Sequence, residues 1–216
     1  MISLGELNDL MQSSRTLRQT MVGYYLIDIE KPRYLSSLEK IYEKIKELPH
    51  SDYQYRFTSA GGEEVTVDLS YELTEFEKDI EFFRNGEESF YDYLASRHSS
   101  GQNRFPESLA RGVDFLDDLA EIVFISDRDG TVNNYCARYQ TSVQSAYNAI
   151  FLSRFAQHSA RKAVILTSAP LENTGLVDIN VSPEESFIFA GSKGREYAAP
   201  SGERGYYPVP EEQREK

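Results

Sequence analysis

The chain has 216 residues, 40% of them hydrophobic, which is enough for one large domain or two small ones with a real core and excludes a disordered tail. Its 35 acidic residues outnumber 23 basic ones, so the net charge is −12, the wrong sign for neutralising a nucleic acid backbone or an anionic membrane. The single cysteine, Cys136, allows neither an internal disulfide nor a Cys-rich zinc site, and no stretch has the ~18 uncharged residues of a membrane span or the apolar core of a signal peptide. The expectation is a soluble, cytoplasmic protein with a reducing surrounding.

In chain order, Leu4, Leu7, Leu10, Met11 and Leu17 recur at helical spacing over 4–19, and a more continuous apolar stretch follows at 21–29. Ser36 and Glu39 have the spacing of a capping box. They predict a helix with Leu38, Ile41, Ile45 and Leu48 on one face, ended by Pro49. Alternating residues on either side of Ala60-Gly61-Gly62 predict a β-hairpin over 53–71, with the glycines supplying the positive φ of the turn. Thr74 and Glu77 form a second capping-box pattern for a helix carrying Phe76, Ile80 and Phe83, and further helix is expected at 89–95 and 106–119. Pro106 suits a first turn, where its missing N–H would have no partner. The acidic runs at 75–81 and 114–121 read as solvated helix faces. Residues 1–118 thus form a mostly helical N-terminal region with one hairpin.

From 119 to 216 the pattern changes to strand (121–126), helix (141–157), strand (163–167), a turn-rich link and strand (187–190). Strand, crossover helix and strand make a βαβ unit with parallel pairing, and ligands of such sheets sit beyond the carboxyl ends of the strands. There the sequence reads Asp127-Arg128-Asp129-Gly130-Thr131. Two carboxylates two residues apart at a strand end, followed by a glycine that turns the chain, can converge on one small volume. Close like charges call for compensation, and a hard divalent cation with oxygen ligands, Mg2+, is the usual one. One carboxylate can then act as a nucleophile and the other as a proton shuttle.

An apolar strand followed by D-x-D-G-T resembles the first motif of the haloacid dehalogenase superfamily, and Ala163-Val164-Ile165-Leu166 followed by Thr167-Ser168 is similar to its second. A third segment, Ala190-Gly191-Ser192-Lys193-Gly194-Arg195-Glu196, resembles the A-G-x-H-G-x-E segment of trehalose-6-phosphate phosphatases, with Lys193 where those enzymes usually have His. The resemblance covers about 119–210. It implies an α/β fold, a parallel Rossmann-like (haloacid dehalogenase-like) sheet, incomplete here, running into the start of a cap by 216. It implies a magnesium-dependent phosphatase of phosphorylated sugars acting through an aspartyl-phosphate. Asp127 would be the nucleophile and Asp129 the acid and base, with Mg2+ on the Asp127 carboxylate and the Asp129 carbonyl. Gly130, Thr131, Thr167 and Ser168 would bind phosphate, and Lys193 and Glu196 the sugar.

The superfamily's phosphate-holding lysine and final acidic motif have no counterpart by Lys216. The expected consequence is an open sheet edge beside the first-motif strand, covered by the 53–71 hairpin, by a second copy of the chain, or by a missing C-terminal portion, with the last favoured. The rival reading is a catalytically silent binding or regulatory protein that retains half a phosphatase core. His50, His98 and His158 read as surface groups or caps, and Cys136 as a packed or incidental thiol.

Overall fold

The computed structural model describes residues 3–29, 32–97, 105–117, 121–133, 141–172, 180–208 and 210. Helix α1 (Leu4–Tyr25) starts at a reciprocal box: the Ser3 hydroxyl accepts the Glu6 amide, and the Glu6 carboxylate accepts the Ser3 amide. It runs on into the apolar 21–29 stretch as far as Tyr25, because Met21 and Val22 fall on the same buried face as Leu7 and Met11. Helix α2 (Pro32–Lys46) begins before the predicted Ser36–Glu39 box, with proline at its first position. Its predicted face holds: Leu38 and Ile45 are buried, and Ile41 and Leu48 pack against the core.

Strands β1 (His50–Ser51), β2 (Gln54–Thr58) and β3 (Glu64–Asp68) form an antiparallel sheet of three strands, one more than the hairpin expected. Tyr55 lies opposite Val67 and Phe57 opposite Val65, so the alternation sends both aromatic rings into the core. Of the turn glycines described with positive φ, only Gly62 is in this hairpin. Helix α3 (Ser70–Arg97) starts four residues before Thr74, whose hydroxyl donates back to the Ser70 carbonyl instead of capping. It joins the two helices expected at 74–83 and 89–95, with a non-helical break at Gly86. Glu72, Glu75 and Asp79 are buried, which corrects the solvated acidic face predicted for 75–81: Arg18 and Lys78 meet two of these carboxylates. Helix α4 (Phe105–Asp117) carries Pro106 in its first turn.

The second half contains β4 (Val123–Asp127), α5 (Ala146–His158), β5 (Lys162–Leu166), β6 (Ile188–Gly191), β7 (Glu196–Ala198) and β8 (Arg204–Tyr206). The five strands run in that order across one sheet, parallel from β4 to β6 and antiparallel from β6 to β8. The sheet is therefore mixed, and the whole is an α/β architecture with a helical N-terminal region and two sheets. Helix α5 starts later than the 141 expected, and its Ala146, Ala149 and Ile150 share one core with Phe76, Phe82 and Phe90 of α3. A smaller core of Ala163, Ile165, Leu171, Phe187 and Phe189 lies on one face of the five-stranded sheet. On the other face Val123 and Ile125 are 59% and 63% exposed.

Among the described residues β4 pairs only with β5 and lies at the edge of the sheet, where an open edge was expected. The 54–68 hairpin belongs to the other sheet, which removes it as the cover for that edge. No described helix is long and apolar enough to cross a membrane.

Candidate functional site

Asp127 ends β4 in register with Leu166 at the end of β5, so the chains leaving both strands start side by side. The next residue, Arg128, anchors the turn: its amide donates to the Leu166 carbonyl (2.9 Å), and its own carbonyl accepts from Val132 and Asn133 (3.0 Å each). Gly130 closes the turn at φ 84°, a left-handed conformation that a side chain would oppose, and its amide donates to the Asn133 carbonyl (2.8 Å).

This turn carries Asp129 against β5. Its Oδ2 accepts the Thr167 hydroxyl at 2.7 Å, and its Oδ1 accepts the Arg128 guanidinium at 2.5 Å. Thr167 is buried, and its oxygen also accepts the Ala169 amide (3.1 Å), which fixes the rotamer that faces Asp129. Asp127 is exposed, and no ion pair engages it among the described residues. Thr131 and Ser168 are exposed beside these groups. Asp127, Asp129 and Thr167 are thus neighbours at the strand ends. The Thr167 hydroxyl, expected to bind phosphate, touches Asp129 directly.

The third segment arrives on the same edge of the sheet. Gly191 ends β6 so close to the chain after β5 that a Cβ would lie 2.9 Å from both Leu171 N and Leu171 Cγ. Gly191→Ala is expected to cost about 1–3 kcal/mol by overpacking, read by chemical denaturation. Beyond it the Ser192 amide donates to the Ala169 carbonyl (2.7 Å) and the Lys193 amide to the Thr167 carbonyl (3.0 Å). Both residues sit at positive φ, 49° and 60°, while the Lys193 side chain is exposed.

Glu196 is engaged within the protein, since its Oε1 accepts the Ser192 hydroxyl (2.6 Å) and its Oε2 the Leu171 amide (3.0 Å). The Ser192 hydroxyl and then the Leu171 amide hold its carboxyl below the ordinary value of 4.5. A depressed carboxylate stabilises the fold above its unfolded-state pKa, and that contribution is lost as pH falls through the lower folded value. The stability difference between wild type and Glu196→Gln is therefore expected to be largest at neutral pH and to shrink progressively below pH 4.5, which denaturation curves across pH would check.

Three participants escaped the sequence reading. Arg128 was a spacer in the D-x-D pattern, yet it is fully buried and ion-paired to Asp129. Its signal was the two-residue period, which carries inward from Phe124 through Ser126 to Arg128. Asn133 donates to the Ser142 carbonyl (2.6 Å) and ties the turn to the segment before α5; no motif marked it. Asp79 reaches the first turn of α5 from α3, accepting the Tyr147 amide. Among the histidines, His50 stacks on Tyr55 (4.6 Å between ring centroids) and His158 sits at the end of α5 against the Arg154 carbonyl. His98, Cys136, the 99–103 loop and the 211–216 tail lie outside the described residues.

A carboxylate-bearing turn at the carboxyl end of a parallel βαβ unit defines the class as an α/β protein with a candidate site at its strand ends. Comparison with known proteins narrows this. A family model for the trehalose-6-phosphate phosphatase N-terminal helical bundle domain matches residues 3–100, and one for the C-terminal part of trehalose-6-phosphate phosphatase matches 124–214. The chain belongs to the trehalose-6-phosphate phosphatase family.

It is 28% identical over 212 residues to an alpha,alpha-trehalose-phosphate synthase [UDP-forming] 2 of Caenorhabditis elegans, covering 93% of this chain and 17% of the relative. It is 30% identical over 185 residues to a trehalose-phosphatase of Caenorhabditis briggsae, covering 74% of this chain and 43% of the relative. With a trehalose-phosphatase of Brugia malayi the identity is 27% over 186 residues, covering 74% and 38%. The chain therefore spans less than half the length of these relatives.

Proposed function

We propose that this chain carries the nucleophilic half of a magnesium-dependent phosphatase for trehalose 6-phosphate or a similar phosphorylated sugar, on a haloacid dehalogenase-like core, in the cytoplasm. One observation carries the reading: Asp129 and Thr167 are hydrogen-bonded at the ends of β4 and β5, where the exposed Asp127 ends β4, in a chain of this family.

The donor set suits Mg2+, a hard cation that takes one or two carboxylate or carbonyl oxygens and fills its other positions with water and substrate phosphate. The Asp127 carboxylate and the Asp129 backbone carbonyl would hold it, and it would neutralise phosphate charge. Among the described residues no three acidic, His or Cys side chains cluster to hold an ion without such help.

Asp127 is the group free to attack phosphorus. Its carboxylate oxygen forms the new bond to phosphorus as the bond to the sugar oxygen breaks, leaving an aspartyl-phosphate. Asp129 delivers the proton to the departing sugar oxygen and then takes one from the water that hydrolyses the acyl phosphate. Thr167 and Arg128 keep that carboxylate aimed, and approach of the phosphate is where the Thr167 hydroxyl exchanges Asp129 for a phosphoryl oxygen. Ser168 and Thr131 offer further hydroxyls, Gly130 shapes the turn, and Lys193 brings a cation toward the sugar phosphate. Glu196 serves the sugar once its hold on Ser192 is released.

The test is magnesium-dependent phosphate release across a panel of sugar phosphates, with Asp127→Asn as the control. Release by the native protein and none by the variant supports the reading. Equal background rates reject it and favour a silent binding protein.

A further inference from the structure

Helix α5 has an N-terminus that its own sequence does not cap. Ser145 stands at the N-cap position with extended backbone, yet makes no capping hydrogen bond. The acceptor comes instead from the N-terminal region. The Asp79 carboxylate of α3 accepts the Tyr147 amide (3.0 Å) through Oδ1, across 68 residues of sequence. An anion at this end of a helix is favoured by the orphan amides and by the helix dipole.

Asp79 is fully buried and so is the cation that balances it: Arg18 Nε donates to Asp79 Oδ2 at 2.6 Å, and the guanidinium lies 4.1 Å from the centre of the Phe76 ring. Two helices of the N-terminal region thus build a buried ion pair with one oxygen aimed at α5. The 141–145 segment just before α5 is wholly buried. Within it Gln144 Oε1 accepts from Val181 N (3.0 Å), Ser182 N and Ser182 Oγ (3.1 Å each), and the Ser142 carbonyl accepts Asn133 Nδ2. The Asn133 carbonyl in turn receives the Gly130 amide, next to Asp129.

We infer that Arg18 and Asp79 are positioning residues for the Asp127–Asn133 turn: by capping α5 they hold the 142–147 segment at the height from which Asn133 closes the turn that aims Asp129. This deepens the proposed phosphatase reading, on which the catalytic meaning of the turn rests. It gives the N-terminal helices a role at the site, as the frame against which the crossover helix is set.

The experiment is hydrogen–deuterium exchange on the full chain, comparing wild type, Asp79→Ala and Asp79→Ala/Ser145→Asp. The expected result for Asp79→Ala is about tenfold faster exchange at 130–133 and at 146–149, with β2 and β3 unchanged. Ser145→Asp, which supplies a local cap, is expected to restore both segments. Faster exchange at 146–149 with wild-type rates at 130–133 overturns the inference, as does failure of the local cap to restore 130–133. If Asp79→Ala does not fold, Asp79→Asn, which keeps an oxygen for the amides and loses the charge facing Arg18, is expected to leave 130–133 nearer wild type than any folded Asp79→Leu sample; equal rates in the two overturn it. Phosphate release measured on the same wild-type sample separates the two readings. Coupled exchange without turnover sinks the phosphatase and leaves the positioning intact.

Discussion

Arg18→Met is expected to destabilise the protein by about 3–5 kcal/mol, because it leaves the Asp79 carboxylate buried without its counter-ion. Arg18 and Asp79 are 1% and 0% exposed, so water cannot replace the lost partner. Burial already pushes the Asp79 carboxyl above its ordinary value, opposed by Arg18 and the α5 amides. Removing Arg18 takes away the nearest positive charge and drives the group to bind a proton. Arg18→Met/Asp79→Leu removes both charges and is expected to recover most of the loss, with a residual deficit of about 1 kcal/mol from the uncapped end of α5. Urea denaturation of the two variants and wild type, at constant slope, measures both quantities. A single variant within 1 kcal/mol of wild type would show that the pair is not the keystone described here.

Asp127→Asn is expected to abolish phosphate release, by a factor on the order of 10^4 or more, while leaving stability within about 0.5 kcal/mol. The side chain is exposed and has no ion pair among the described residues, so no described contact depends on its charge. Asp129→Ala provides the contrast. It removes the carboxylate facing the buried Arg128 and the acceptor of the Thr167 hydroxyl, so it is expected to lose activity and also about 2–3 kcal/mol of stability. Phosphate release and denaturation measured on the same preparations check the pair. A large stability loss in Asp127→Asn would assign that carboxylate a structural role instead.

The difference between these two aspartates shows how far the candidate site could be read from the chain itself. The D-x-D-G-T pattern located both carboxylates at a strand end, since a run of apolar β-branched residues and a following glycine are local properties. It could not say that one is exposed and the other held by Arg128 and Thr167, because the second partner arrives 38 residues later on another strand. Glu196 is similar. Its place after β6 was legible, whereas its bonds to Ser192 and Leu171 depend on how closely Gly191 lets two loops approach.

The helical region divides in the same way. Periodicity located α1, α2, the hairpin and the helix after it, and it assigned the core face that holds Leu38 and Ile45. Helix starts were misplaced at Ser36 and Thr74, where a capping-box spacing lay inside a longer helix whose packed face outweighed it.

What the order of amino acids determined alone was most of the helices, the three parallel strands and the acidic turn of the candidate site, all governed by interactions among residues a few positions apart. Tertiary structure decided which acidic residues are buried, which strand is left at the edge, and that the N-terminal helices brace α5. The physical reason is that burial of a charge depends on whether a counter-charge and amides are brought to it. For Asp79 these come from Arg18, 61 residues before it, and from Tyr147, 68 residues after it.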